Sequence, residues 1–141
     1  MTRKPQIGSI STGTLIPHEL CDAFASELAY LLGTSATPDQ RELLEAVDAM
    51  TGDDLEECDD LLEAITRELE DLAPEASYFG ARDGDGADFG FWPLWEAVDE
   101  LPAVKDPSEV EDHRGEPCKF VNDHGNVTVY NSDGSVAWDC V

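Results

Sequence analysis

The chain has 141 residues, with 32 Asp and Glu against 8 Lys and Arg, a formal net charge of −24. At that charge direct binding of nucleic acid or of an anionic membrane surface is strongly disfavoured, and basic proteins or cations become the natural partners. A hydrophobic fraction of 41% with three Trp, five Phe and three Tyr argues against an acidic disordered tail and predicts one domain, residues 1–141, with a real core.

The amino terminus MTRKPQIGSI has no apolar run of signal-peptide length, and no other stretch is long enough to span a bilayer, so a cytoplasmic protein is expected. Cys21, Cys58, Cys118 and Cys140 are scattered without a CxxC pair, which signals neither a zinc knuckle nor a redox dithiol. They read as reduced and mostly structural, with a Cys118–Cys140 pair left open.

In chain order, Gln6–Ile10 alternates weakly and predicts a short strand, followed by small turn residues in SISTGT. That loop lacks the lysine and spaced glycines of a phosphate-binding loop, so it reads as the lead-in to a helix. Thr14 is the expected cap, Pro17 suits the first turn, and Leu20, Phe24, Leu28, Leu31 and Leu32 form the apolar stripe of a helix ending at Gly33. From Thr37, TPDQ predicts a capping box opening a second helix through Leu43, Leu44, Val47 and Met50, with Gly52 as its end and Asp53 as the cap of a third.

The third helix is the strongest signal in the chain. Leu55, Cys58, Leu62, Ile65, Leu69 and Leu72 alternate in steps of three and four, which is one face of a helix over Asp53–Leu72. Glu56, Glu57, Asp59, Asp60, Glu63, Glu68, Glu70 and Asp71 cover the remaining arc, with Arg67 as the one cation among them. Glu68, Glu70 and Asp71 fall in the last turn, where the helix dipole disfavours carboxylates. Between Arg41 and Glu75, 14 acids and 2 bases give a net −12, half of the chain's charge in a quarter of its length. A surface so loaded costs stability by self-repulsion and invites an explanation beyond folding.

After Pro74 the pattern turns to strands. Ser77–Trp95 holds two aromatic segments joined by DGDG, a short helix is expected from Pro93 to Leu101, and Pro102–Pro117 reads as a surface loop. CKFVN, NVTVYN and SVAWDCV are three strand-like runs separated by the turn signals DHG and SDG. The fold class that follows is α+β, with three N-terminal helices packed on an antiparallel β-meander.

Two loops carry residues capable of chemistry. Asp83–Asp88, DGDGAD, offers oxygen ligands at alternate positions, yet as an EF-hand its fifth and twelfth positions are Ala87 and Leu94, so a tight turn is the expectation and an adventitious cation site the alternative. NDHGN places His124 beside Asp123, and a general base paired with Cys118 or Cys140 is conceivable chemically, but Asn, Asp, His and Gly are equally the residues of a tight hairpin. His18 and His113 have no partner at metal-like spacing. Most of Tyr78, Phe79, Phe89, Phe91, Trp92 and Trp95 are expected in the core, with one or two exposed as partner anchors. No pattern calls for a metal or a cofactor.

Three motifs, SISTGTL at Ser9–Leu15, YFGARDGDGADFGFW at Tyr78–Trp92 and VNDHGNVTVY at Val121–Tyr130, resemble those of a family of small acidic proteins found in bacteriophages and mobile elements. The acidic helix lies outside them. The resemblance carries no catalytic residue or cofactor; it implies a phage-like gene expressed inside a bacterium.

Charge and context together predict a DNA mimic, a non-enzymatic inhibitor whose carboxylates occupy the basic groove of a host restriction, CRISPR or nucleoid protein. The acids assigned to partner binding are Glu56, Glu57, Asp59, Asp60, Glu63, Glu68, Glu70 and Asp71, supported by Glu42, Glu45 and Asp48. Steps between Glu56, Asp60, Glu63 and Glu70 rise about 5 to 10 Å, bracketing the roughly 7 Å phosphate spacing along one DNA strand. Two alternatives stand beside this reading. One is acidity as a proteome-wide adaptation, to which only three lysines, Lys4, Lys105 and Lys119, conform. The other is a small enzyme or ligand-binding protein built on the aromatic group, DGDG and His124.

Overall fold

A computed structural model describes residues 4–50, 53–113 and 115–140. The chain divides into two compact units: one comprises the residues up to Ala73 together with Phe79–Phe91, and the other Pro74–Tyr78 with the residues from Trp92 onward.

In the first unit, β1 (Gly8–Thr12) leads into α1 (Pro17–Leu32). The expected stripe of Leu20, Phe24, Leu28, Leu31 and Leu32 is buried. Pro17 pre-sets the first turn, and Gly33 ends the helix at φ 54°, returning its N–H to the Ala29 carbonyl. Thr14 is not the cap: that position is Ile16, which offers no side-chain acceptor. The Thr14 hydroxyl instead accepts the Ile16 N–H at 3.1 Å and donates to Glu19 Oε1, a local turn that holds the entry to the helix.

Helix α2 (Pro38–Ala49) opens on the predicted capping box, with Thr37 Oγ1 accepting the Gln40 N–H at 3.2 Å and Gln40 Oε1 accepting the Thr37 N–H at 2.9 Å. Replacing Thr37 by Ala removes the first of these bonds, and the expected outcome is a loss of about 1 kcal/mol in urea unfolding. Helix α3 (Leu55–Asp71) is capped by Asp54, whose carboxylate accepts the Glu57 N–H at 3.1 Å, rather than by Asp53. Gly52, read as the end of α2, lies outside the described residues; α2 itself stops at Ala49.

Of the six apolar positions on α3, Cys58, Ile65 and Leu69 are wholly buried, Leu62 and Leu72 half-buried, and Leu55, the first residue of the helix, is 67% exposed. Helix α1 packs on α3, α2 and β1. The core of the unit joins Phe24, Leu28, Leu31, Val47, Ile65 and Leu69 to Phe79 and Phe91.

Strands β2 (Ser77–Arg82) and β3 (Asp85–Pro93) form the aromatic hairpin, and β1 adds antiparallel to β3 to give a three-stranded sheet ordered β1-β3-β2. Gly90 makes this pairing possible: a Cβ there would overlap the Gly8 carbonyl. Where SISTGT reads as turn residues, Ser9–Thr12 are therefore strand, held by a partner about eighty residues away.

The second unit carries α4 (Trp95–Glu100) and a four-stranded sheet of β4 (Ala103–Val104), β5 (Cys118–Val121), β6 (Val127–Tyr130) and β7 (Val136–Cys140), in that order. The last three are the expected antiparallel meander. Strand β4 is parallel to β5, and with the 3-10 turn Pro107–His113 it gives structure to the stretch read as a loop; Val104 and Val110 are buried there with Cys118 and Tyr130. Lys119 donates from Nζ to the Val98 carbonyl at 2.8 Å, a cation on the last carbonyls of α4.

The α+β class holds, but the arrangement of three helices on a meander does not. Helix α1 lies against β1, and its core side chains meet Phe79 and Phe91 of the three-stranded sheet, while the meander belongs to a separate four-stranded one. Alternation marks a strand face without saying which strands share a sheet. Among the described residues no helix is long and apolar enough to cross a membrane.

Candidate partner-binding surface

Helix α3 presents most of its acids as expected. Glu56, Glu57, Asp59, Asp60, Glu63, Glu70 and Asp71 are exposed, as are Glu42, Glu45 and Asp48 on α2. The structure separates two of the set by their partners. Glu68 is half-buried and accepts a hydrogen bond from Gln40 Nε2 at 3.0 Å, tying α3 to α2. Glu70 Oε2 accepts the backbone N–H of Phe79 at 2.6 Å, tying α3 to β2. Two of the carboxylates that oppose the helix dipole in the last turn thus have structural work, and charge-assisted bonds of this kind offset the unfavourable dipole.

Arg67 pairs with Glu63 at 2.9 Å one turn away, both side chains more than 70% exposed. A pair so open to solvent contributes only about 0.3–0.5 kcal/mol.

A groove of about 520 Å³ runs along α3, bordered by Asp59, Leu62, Glu63, Thr66, Arg67 and Glu70 and by Phe79 of β2. Those six helix residues recur at spacings of three and four and so share one side of the helix, the boundary between its buried stripe and its acidic arc. Sequence reading assigns Leu62 to the core stripe and leaves Thr66 unassigned. The signal for the groove is Thr66 itself, a small side chain flanked one turn away by Leu62, Glu63 and Glu70, which are longer.

The two loops are turns. In DGDG the Asp85 carboxylate accepts the Ala87 N–H at 3.2 Å within the hairpin between β2 and β3. Asp88, at its end, is buried and accepts the Ser9 hydroxyl at 2.5 Å, with Arg82 Nη1 at 3.8 Å, so it fastens β1 to β3. In NDHGN, Asn122 Oδ1 accepts the N–H groups of His124 at 2.9 Å and Asn126 at 3.0 Å. His124 is exposed at the Val121–Val127 end of the β5–β6 pair, whereas Cys118 is buried at the other end opposite Tyr130, so these two do not form a nucleophile and base; the side chain of Cys140, the other thiol considered, lies outside the described residues. Among the described residues no cluster of three His, Cys, Asp or Glu is placed to hold a metal ion.

The aromatic group is less buried than expected: Phe79 and Phe91 are core, Phe89 is half-buried against them, Tyr78 and Trp92 are half-buried, and Trp95 is exposed. Phe24 packs edge-on to Phe79 at 5.0 Å and to Phe89 at 5.4 Å, and Phe79 to Phe91 at 5.1 Å. In the second unit Trp95, 49% exposed, lies edge-on to Trp138 at 6.2 Å, and Trp138 donates its indole N–H to the Glu75 carbonyl at 2.7 Å.

Cys21, Cys58 and Cys118 are free thiols and all are buried. Cys21 Sγ donates to the Cys58 carbonyl at 3.3 Å. Burial, followed by the fields of Cys58, Asp22 and Asp59, pushes the Cys21 thiol up to about 11. Burial also raises Cys58, reinforced by Glu57 and Asp54, and raises Cys118, reinforced by Glu116. Thiolates are the reactive form, so these three are expected to resist a disulfide exchange reagent at mildly alkaline pH in the folded protein and to react once it is unfolded in urea. The sign for stability follows. Unfolded Cys21 ionises near 9.0 and the folded thiol near 11, so its contribution is complete below pH 9.0 and declines as pH rises toward 11.

Comparison of the chain with protein-family models, with curated proteins and with solved structures finds no match.

Proposed function

We propose that this is an acidic phage-type protein that acts as a DNA mimic inside a bacterial cell, occupying the nucleic-acid groove of a basic host protein of restriction, CRISPR or nucleoid type. The observation that carries the reading is the exposed carboxylate face of α3, where Glu56, Glu57, Asp59, Asp60, Glu63 and Asp71 project from one folded helix. At about 1.5 Å per residue this 17-residue helix is roughly 25 Å long. It holds its charges at fixed spacing, as a duplex does and a disordered acidic tail does not. Its packing on α1 and α2 supports that rigidity. The role is electrostatic and needs no cofactor.

Such association is steered by charge and weakened by salt. The test is capture of proteins from a bacterial lysate on the immobilised chain at low and at high salt, with duplex DNA added as competitor. The expected result is a basic, DNA-handling protein that is held at low salt, released by salt and displaced by DNA. Recovery of no such protein, or of one that ignores DNA, would sink the proposal.

A further inference from the structure

The groove between α3 and β2 adds an apolar element to a surface that is otherwise charged, and DNA mimicry alone has no use for one. Resting on the reading of α3 as the partner surface, we propose that this groove seats a cationic amphipathic segment of the partner. One apolar side chain enters it while the lysines or arginines on either side meet the surrounding carboxylates.

Three observations fix that occupant. Four of the seven lining residues are charged, yet the exposed area of the groove is mostly apolar, with Leu62, Thr66 and Phe79 between the charged side chains, and about 520 Å³ accommodates a side chain the size of leucine or phenylalanine. Asp59, Glu63 and Glu70 border it, and with Arg67 they leave a net negative rim, so an apolar ligand without positive charge is disfavoured there. The neighbouring edge is also closed to strand addition at this point. Strand β2 is the outer strand of its sheet, and the Phe79 N–H that would pair with an incoming strand is already taken by Glu70 Oε2. The segment is therefore held by side chains, not by main-chain pairing.

Arg67 sits on this rim as a cation among acids, held by a solvent-exposed pair with Glu63. An incoming lysine competes with it for the same carboxylate. Removing Arg67 should strengthen binding, the reverse of what loss of a merely structural contact would do.

The test uses the intact protein and two synthetic peptides, one of lysines around a single central leucine and a twin with serine at that place. Binding is followed by fluorescence anisotropy at low salt and by the NMR signals of Leu62, Thr66 and Phe79. The leucine peptide is expected to bind about tenfold more tightly, the effect of burying roughly half a leucine side chain, and to shift those three residues. Thr66→Met, which fills the groove with a good helix former, should bring the two affinities together. Arg67→Ala should tighten both by about threefold.

Equal affinity of the two peptides for the unaltered protein would overturn the groove while leaving the acidic surface as the partner site. Shifts of Leu62 and Phe79 on concentrating the protein alone would assign the groove to a second copy and equally overturn it. If neither peptide binds, the groove is overturned, and the DNA-mimic reading falls with it only if host capture is also unaffected by reversal of the acids outside the groove.

Discussion

Replacing Glu56, Glu57, Asp60 and Asp71 together by lysine is expected to weaken capture of the host partner by at least about a hundredfold while leaving the helix folded. All four are exposed, and none borders the groove. They also exclude Glu68 and Glu70, whose carboxylates hold α2 and β2. The substitutions move the net charge from −24 to −16, so the chain stays strongly acidic and the change is one of place more than of total. Even at about 0.7 kcal/mol for each reversed contact, well below the couplings measured between close charges across interfaces, four add to roughly 3 kcal/mol.

Stability should move little in the same variant. Lysines in the first turn at positions 56 and 57 oppose the dipole, a lysine at 71 favours it, and relief of self-repulsion favours all four, so the balance stays within about 1 kcal/mol. Affinity at low and high salt, set beside the urea midpoint, measures both. Unchanged capture in a folded quadruple variant would remove the acidic face from the function. It would also leave proteome-wide acidity as the better account of the charge.

The parts of this protein that were legible in the sequence are those whose causes are local. The α1 stripe and its Gly33 stop, the Thr37–Gln40 capping box, the α3 stripe and the three C-terminal strands are each specified within a few residues of themselves. The partition into two sheets was not legible, because it depends on Ser9 meeting Gly90, and alternation is blind to such a partner. Val104 and Val110 were hidden for a different reason: single apolar residues among prolines and charges have no period to detect.

The acidic arc shows the same boundary between local and distant causes. Its exposure follows from helical spacing, but the assignment of Glu68 to Gln40 and of Glu70 to the Phe79 N–H depends on which elements pack beside α3. The dipole mismatch in the last turn was a sound signal. Part of what it signalled was tertiary structure.

The largest effect on the fold itself is expected from Phe24→Ala. Phe24 is 2% exposed, and its ring meets both strands of the aromatic hairpin, Phe79 on β2 and Phe89 on β3. Truncation removes the transfer free energy of the ring, leaves a cavity that Phe79 cannot fill without leaving Phe91, and forfeits two edge-on ring contacts. The expected cost is about 3–5 kcal/mol, against less than half of that for Phe24→Leu, which keeps most of the volume. The readout is urea unfolding followed by far-ultraviolet circular dichroism, whose helical signal comes mainly from α1, α2 and α3 of the first unit. The consequence reaches the surface because Phe79 is both the ring against Phe24 and the residue whose N–H holds Glu70. A variant that loosens Phe79 should therefore release the end of α3 and lose the groove before the first unit unfolds as a whole. Loss of the leucine preference in Phe24→Leu, at a urea concentration where its helices are still intact, would connect the core to the acidic surface through that one residue.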